Sequence, residues 1–130
     1  MMRLPLAILV LGVLMALPLA SCGDDDGSAE PPPDALTELE AEGLALVQAK
    51  GCASCHGLDG QGGVGPGWIG LAGSEVVLDD GSTVEADADY SRRALNEPTA
   101  EIRAGFAAVM PATPLTDAEV DALVAYISTL

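Results

Sequence analysis

The chain begins with an uncharged apolar stretch, Leu4 to Ala20, preceded by Arg3. It then turns polar, and Gly23 to Asp34 reads GDDDGSAEPPPD with no apolar periodicity. Amphipathic order starts at Leu36. Leu36, Leu39, Gly43, Leu46 and Val47 recur at helical spacing, and Thr37 with Glu40 has the form of a capping box, which together predict a helix upstream of Lys50. Gly43 inside that helix costs about 1 kcal/mol relative to alanine, so a close helix crossing is expected there. A second capping box, Thr116 with Glu119, precedes Val120, Leu123, Val124 and Ile127 on one face and predicts a terminal helix. A shorter helix is predicted at about Tyr90 to Asn96, ending before Pro98, because the residue before a proline is pushed out of helical geometry. Gly60 to Gly73 reads as a glycine-rich loop. Val76-Val77-Leu78 and Thr83-Val84, separated by Asp79-Asp80-Gly81-Ser82, read as a small hairpin. No internal repeat is evident, and the class predicted is all-α with a hairpin insertion.

The first two segments read as something other than fold. A short cationic start, an apolar core and small residues before Cys22 make residues 1–21 a secretory signal. An uncleaved membrane helix would want about 20 consecutive apolar residues, and Pro5, Gly12 and Pro18 weaken that alternative. Leu19-Ala20-Ser21-Cys22 resembles the lipobox of bacterial lipoproteins, in which the cysteine is acylated and becomes the first mature residue; the alternative is an ordinary thiol near a cleavage site. Residues 22–34 then form a lipidated cysteine and a tether, extended by charge repulsion and stiffened by Pro31-Pro32-Pro33. Such a tether reaches at most about 40 Å, so a domain at residues 35–130 is expected to lean and turn above a membrane without leaving it.

Composition sharpens the problem of that domain. One Trp, one Phe and two Tyr are few large side chains for a core, and small domains usually need a staple of some kind. The formal charge is −15, and loss of residues 1–21 with Arg3 takes it to −16. Nucleic acid and anionic lipid headgroups are therefore not expected as partners, since both would be repelled. The acidic residues read as a solvated face or as a docking surface for a basic partner.

Chemistry concentrates in Gly51-Cys52-Ala53-Ser54-Cys55-His56-Gly57, where two cysteines are followed at once by the single histidine of the chain. Zinc needs about four ligands, and the one further cysteine is Cys22. A site completed by a carboxylate remains an alternative. A redox dithiol would want a βαβ context, whereas the residues before Cys52 look helical. Covalent attachment of haem uses all three: each thiol adds to a vinyl group, and the histidine binds iron from beneath, the reading of CxxCH as c-type haem. Haem also supplies the missing apolar mass. Its second axial position decides between carrying electrons and binding ligands. Met1, Met2 and Met15 lie in the signal, which leaves Met110, in Val109-Met110-Pro111, as the candidate sixth ligand. The alternative is that Met110 only fills core space.

With these residues in place, the chain resembles class I cytochromes c, most closely the cytochrome c domain fused to subunit II of some bacterial haem-copper oxidases. The resemblance runs from about Leu36 to Leu130 and rests on GCASCHGLDGQGGVGPGWIGLAGSEV, VVLDDGSTV, DYSRRALNEP, VMP and LTDAEVDALVAYI. It implies a class I cytochrome c fold around one covalent haem c, with Cys52 and Cys55 as attachment points and His56 and Met110 as iron ligands. It further implies that the Pro66 carbonyl accepts a hydrogen bond from the His56 imidazole and that Trp68 packs at the haem edge. Tyr90 and Arg92 match positions able to meet haem propionates, and Gly43 and Tyr126 match the pair where the first and last helices cross. The fused domains follow a copper-binding domain and membrane helices. Here the expectation is a free-standing lipoprotein in the cell envelope, its haem domain on the periplasmic or extracytoplasmic side.

The function expected is an electron carrier and not an enzyme. The carboxylates show no paired motif that would serve as catalytic acid and base, so no catalytic residue is expected. Single electrons would pass from a quinol-oxidising complex or dehydrogenase to a terminal oxidase. The rival expectation is a haem sensor or small haem enzyme with an open sixth position; a structural subunit of a larger dehydrogenase is a third.

Overall fold

The computed structural model of the chain describes residues 35–106 and 110–130. The signal and Cys22 with its tether lie outside these residues, as do Ala107, Ala108 and Val109. The element order is α1 (Glu38–Ala49), α2 (Ala53–His56), β1 (Glu75–Val77), β2 (Thr83–Glu85), α3 (Ala88–Asn96) and α4 (Asp117–Ile127). Among the described residues no helix is long and apolar enough to cross a membrane.

Both capping boxes form as the pattern predicts. The Thr37 hydroxyl accepts from the Glu40 N–H, and the Thr37 N–H donates to Glu40 Oε2 at 2.7 Å. At α4 the Thr116 N–H donates to Glu119 Oε2 at 2.8 Å. Each box satisfies two backbone donors that a helix start would otherwise leave open. Helix α3 begins earlier than its apolar pattern implied, because the Asp87 side chain accepts from the Tyr90 N–H at 2.7 Å and sets the start at Ala88. It ends at Asn96, with Glu97 in non-helical geometry just before Pro98.

The main core forms where α1 lies against α4. Val47 and Leu123 are essentially fully buried there, with Val120, Val124, Tyr126 and Ile127 around them. Gly43 is the point of closest approach: a Cβ added to it would stand 2.6 Å from the Tyr126 Cβ and would run into the Ala122 carbonyl. A smaller core of Val76, Leu78, Ala86 and Tyr90 joins the hairpin to α3. The hairpin register is Glu75↔Glu85, Val76↔Val84 and Val77↔Thr83. Its turn is closed by Asp80, whose Oδ1 accepts from the Ser82 N–H and hydroxyl at 2.8 and 2.6 Å. Beyond β1 the chain pairs again, through the bridge Leu78↔Arg103.

One ion pair links the ends of the two long helices. Lys50, at the C-terminus of α1, reaches Glu119 Oε1 at 2.8 Å in the first turn of α4. Its ammonium also donates to the Pro114 carbonyl at 3.5 Å. The Glu119 carboxyl is held below its ordinary value, first by the bond from Lys50 and then by the Thr116 N–H.

Two outcomes are expected. Alanine is the better helix former, yet Gly43→Ala is expected to destabilise the haem-loaded protein by about 1–3 kcal/mol in denaturant melts, the usual cost of overpacking; a gain in stability would mean the helices do not meet at this glycine. A lowered carboxyl pKa stabilises the fold fully above the ordinary carboxylate range, and that contribution disappears as pH falls through the lowered value. Melts of wild type between pH 6 and about pH 3 are therefore expected to fall more steeply than those of Glu119→Gln, which retains the cap and loses the ion pair.

Candidate haem site

The helix end before the two cysteines is a Schellman stop. The Cys52 N–H donates to the Val47 carbonyl at 3.0 Å and the Gly51 N–H to the Gln48 carbonyl at 3.2 Å, with Gly51 at φ +76°. A positive φ favours glycine, and it turns the chain sharply enough to start α2 at once. Cys52, Cys55 and His56 therefore share one short turn, tied back to α1. Ser54 supports it by donating its hydroxyl to the Gly51 carbonyl at 2.6 Å.

The loop after α2 folds back over the histidine. The Gly62 N–H donates to the His56 carbonyl at 2.7 Å and the Gly65 N–H to the Cys55 carbonyl at 2.9 Å. This brings the Pro66 carbonyl 2.7 Å from His56 Nδ1. A carbonyl only accepts, so Nδ1 carries the proton and the lone pair of Nε2 is left for a metal. Gly65 is required for the approach, since a Cβ there would lie 2.8 Å from His56 Cε1. Trp68 stacks on the imidazole, with ring centroids 4.5 Å apart and planes 21° from parallel. The indole is thus on the imidazole face as well as on the cavity wall, a position more specific than the haem edge expected for it.

These groups open onto a cleft with about 1240 Å³ of empty volume, part of it continuous with solvent. Cys52, Cys55, His56, Pro66, Trp68, Tyr90 and Met110 all line it, and Leu71, Leu95, Ile102, Phe106, Leu123 and Ile127 make most of the remaining wall apolar. Met110 also packs against the main core. Arg92 does not line the cleft. It lies on the outer surface of α3, paired with Asp121 of α4; the cation on the cleft wall is Arg103, together with Lys50. Arg103 was invisible to pattern reading because the bridge to Leu78, 25 positions earlier, is what brings it there.

Neither cysteine is in a disulfide. Burial pushes the Cys52 thiol above its ordinary value, outweighing the lowering by a backbone hydrogen bond and Lys50. A redox dithiol works through an exposed, acidified thiol, so this environment speaks against that chemistry.

Two thiols and an oriented imidazole on the wall of a large apolar cleft are the donor set of a covalent porphyrin. The family model for cytochrome c matches residues 40–130. The chain belongs to the cytochrome c family. The fold is that of a cytochrome c domain, its function is haem-based electron transfer, and its cofactor is a covalent haem c at Cys52-Ala53-Ser54-Cys55-His56. A comparison with curated proteins finds no match.

The cleft fits the cofactor on its own terms: apolar walls for the macrocycle, two thiols on the wall for its vinyl groups, and one imidazole with Nε2 free for iron. The partner of His56 is a main-chain oxygen, so Pro66→Ala is expected to leave the Nδ1–H bond in place, whereas Gly65→Ala pushes on the ring itself. Proton NMR of the haem-loaded forms checks this. The ring N–H resonance is expected near its wild-type position in Pro66→Ala and displaced in Gly65→Ala, with about 1–3 kcal/mol of stability lost in the latter.

Proposed function

We propose that this cytochrome is a lipid-anchored monohaem carrier that passes single electrons between respiratory partners in the cell envelope. In this reading Cys52 and Cys55 hold the haem, His56 and Met110 are its axial ligands, and Pro66 orients His56. The observation that carries it is that Met110, the single methionine beyond the signal segment, borders the same cleft as His56. A thioether in the sixth position raises the iron's potential and closes it to small molecules, which suits a carrier. The chain's own contribution is to hold both ligands still: the loop from Gly57 to Trp68 fixes the imidazole, and packing against the core restrains Met110.

The anchor rests on the apolar run Leu4 to Ala20 and the lipobox-like Leu19-Ala20-Ser21-Cys22, with Cys22 as the acylated residue. Resemblance to the cytochrome domains of oxidase subunit II suggests a terminal oxidase as acceptor and a quinol-oxidising complex or dehydrogenase as donor. With −16 on the chain after removal of residues 1–21, a basic docking face on those partners fits best.

Met110→Ala is the test. Ferrous wild type is expected to leave carbon monoxide unbound in an absorption titration, while the variant binds it stoichiometrically and has a lower reduction potential. Prompt binding by wild type would replace the carrier with a haem sensor or small haem enzyme. An unchanged potential in the variant would mean that Met110 is not the ligand.

A further inference from the structure

We propose that Arg103 is the counter-ion of one haem propionate, and that the β1–β2 hairpin serves to hold it there. The inference rests on haem occupying the cleft, and it goes beyond the attachment and axial ligands.

Few charges stand on the cleft wall. Apart from the titratable His56, the ionised side chains lining it are Lys50, Glu101 and Arg103. Lys50 is paired with Glu119. Glu101 is engaged through both oxygens by Arg93, at 3.2 and 3.3 Å. Arg92, outside the cleft, is paired with Asp121. Among the described residues Arg103 is the one cation with no carboxylate partner, in a chain with 20 acidic residues. Among the described residues its side chain makes one long hydrogen bond, from Nη1 to the Gly67 carbonyl at 3.4 Å. Arg103 is half-buried beside Tyr90, whose hydroxyl is pushed up by burial and drawn down by the Arg103 charge.

A cation taken partly out of water wants an anion with matching geometry, and a guanidinium matches a carboxylate in two-point contact. Haem brings two carboxylates into a cleft whose own carboxylate is already taken. The fold also fixes the height of Arg103 on the wall through main-chain bonds alone: Leu78↔Arg103 is a bridge, the Asp79 N–H donates to the Ile102 carbonyl, and the Ala104 N–H donates to the Val77 carbonyl, both at 2.8 Å. The hairpin is thus a frame that carries one guanidinium to the haem. A cation so placed disfavours the extra positive charge of ferric iron and raises the potential.

The test uses the haem-loaded protein with ¹³C-labelled propionate carboxylates, followed by redox titration and redox-difference infrared spectroscopy. Arg103→Gln leaves the main-chain bridge in place. It is expected to shift the oxidised-to-reduced ratio at fixed ambient potential about tenfold toward oxidised, 59 mV for a one-electron couple, and to move one labelled carboxylate band. Arg103→Lys is expected to restore most of the potential while still moving the band, and Arg92→Gln to change neither. An Arg103→Gln protein with wild-type potential and bands overturns the proposal, as does an equal drop in Arg92→Gln. If Arg103→Gln does not mature, wild type decides: both labelled carboxylates at the frequency of hydrated ions overturns the proposal, and one displaced from it is the expected result. A wild-type product without haem would overturn the haem reading as well.

Discussion

A domain of this size with four aromatic residues cannot fill its own centre, and everything else in the structure follows from that constraint. The helices α1 and α4 make one tight seam at Gly43, and the hairpin with α3 makes a second small core. Between them stays a cleft whose walls are apolar but do not meet. Side chains that face each other across such a gap gain nothing from burial until something apolar enters. Covalent haem is therefore a structural member as much as a redox centre, since the two thioether bonds make its contribution to the core permanent.

Features encoded over three or four residues were legible in the sequence. Both capping boxes, the stop before Pro98 and the hairpin turn at Asp79 to Ser82 rest on local hydrogen bonding and backbone sterics, and each forms where its residues predict. Gly43 was readable because a glycine inside an otherwise regular helix needs a reason, and the crossing with Tyr126 supplies one. The CxxCH motif was readable because three donors in five positions fit few chemistries. What pattern could not supply was the destination of side chains fixed by distant pairing. Arg92 and Arg103 are both arginines near apolar residues. Only the bridge to Leu78 turns one toward the cleft, and only Asp121 on another helix holds the other outside. The early start of α3 was missed for a smaller reason, since Asp87 caps through its side chain without the glutamate that marks a capping box.

Charge economy explains how so acidic a chain keeps an orderly site. The four described cations are spent sparingly: Lys50 joins the end of the helix before the haem motif to the start of α4, Arg92 joins α3 to α4, and Arg93 holds Glu101. These solvent-accessible, partly exposed pairs are individually worth little. Their use is positional, because each ties an element bordering the cleft to a neighbour and removes a carboxylate or an ammonium from competition for the cofactor. Once they are made, the remaining cation faces the cleft alone.

The iron's potential is then a balance that can be read from the two sides of the site. On the His56 side, donation of the Nδ1 proton to the Pro66 carbonyl pushes electron density onto Nε2, which favours ferric iron. Were the Met110 thioether to ligate the iron, as proposed, it would favour ferrous iron, and so would burial, since the reduced centre would carry less net charge in an apolar cleft. The histidine bond cannot be relaxed without losing the ring's orientation, as it is the same contact that Gly65 and Trp68 are arranged around. Tuning is consequently left to groups that would not hold the metal, and Arg103, on a segment bridged to the chain just beyond β1, is such a group.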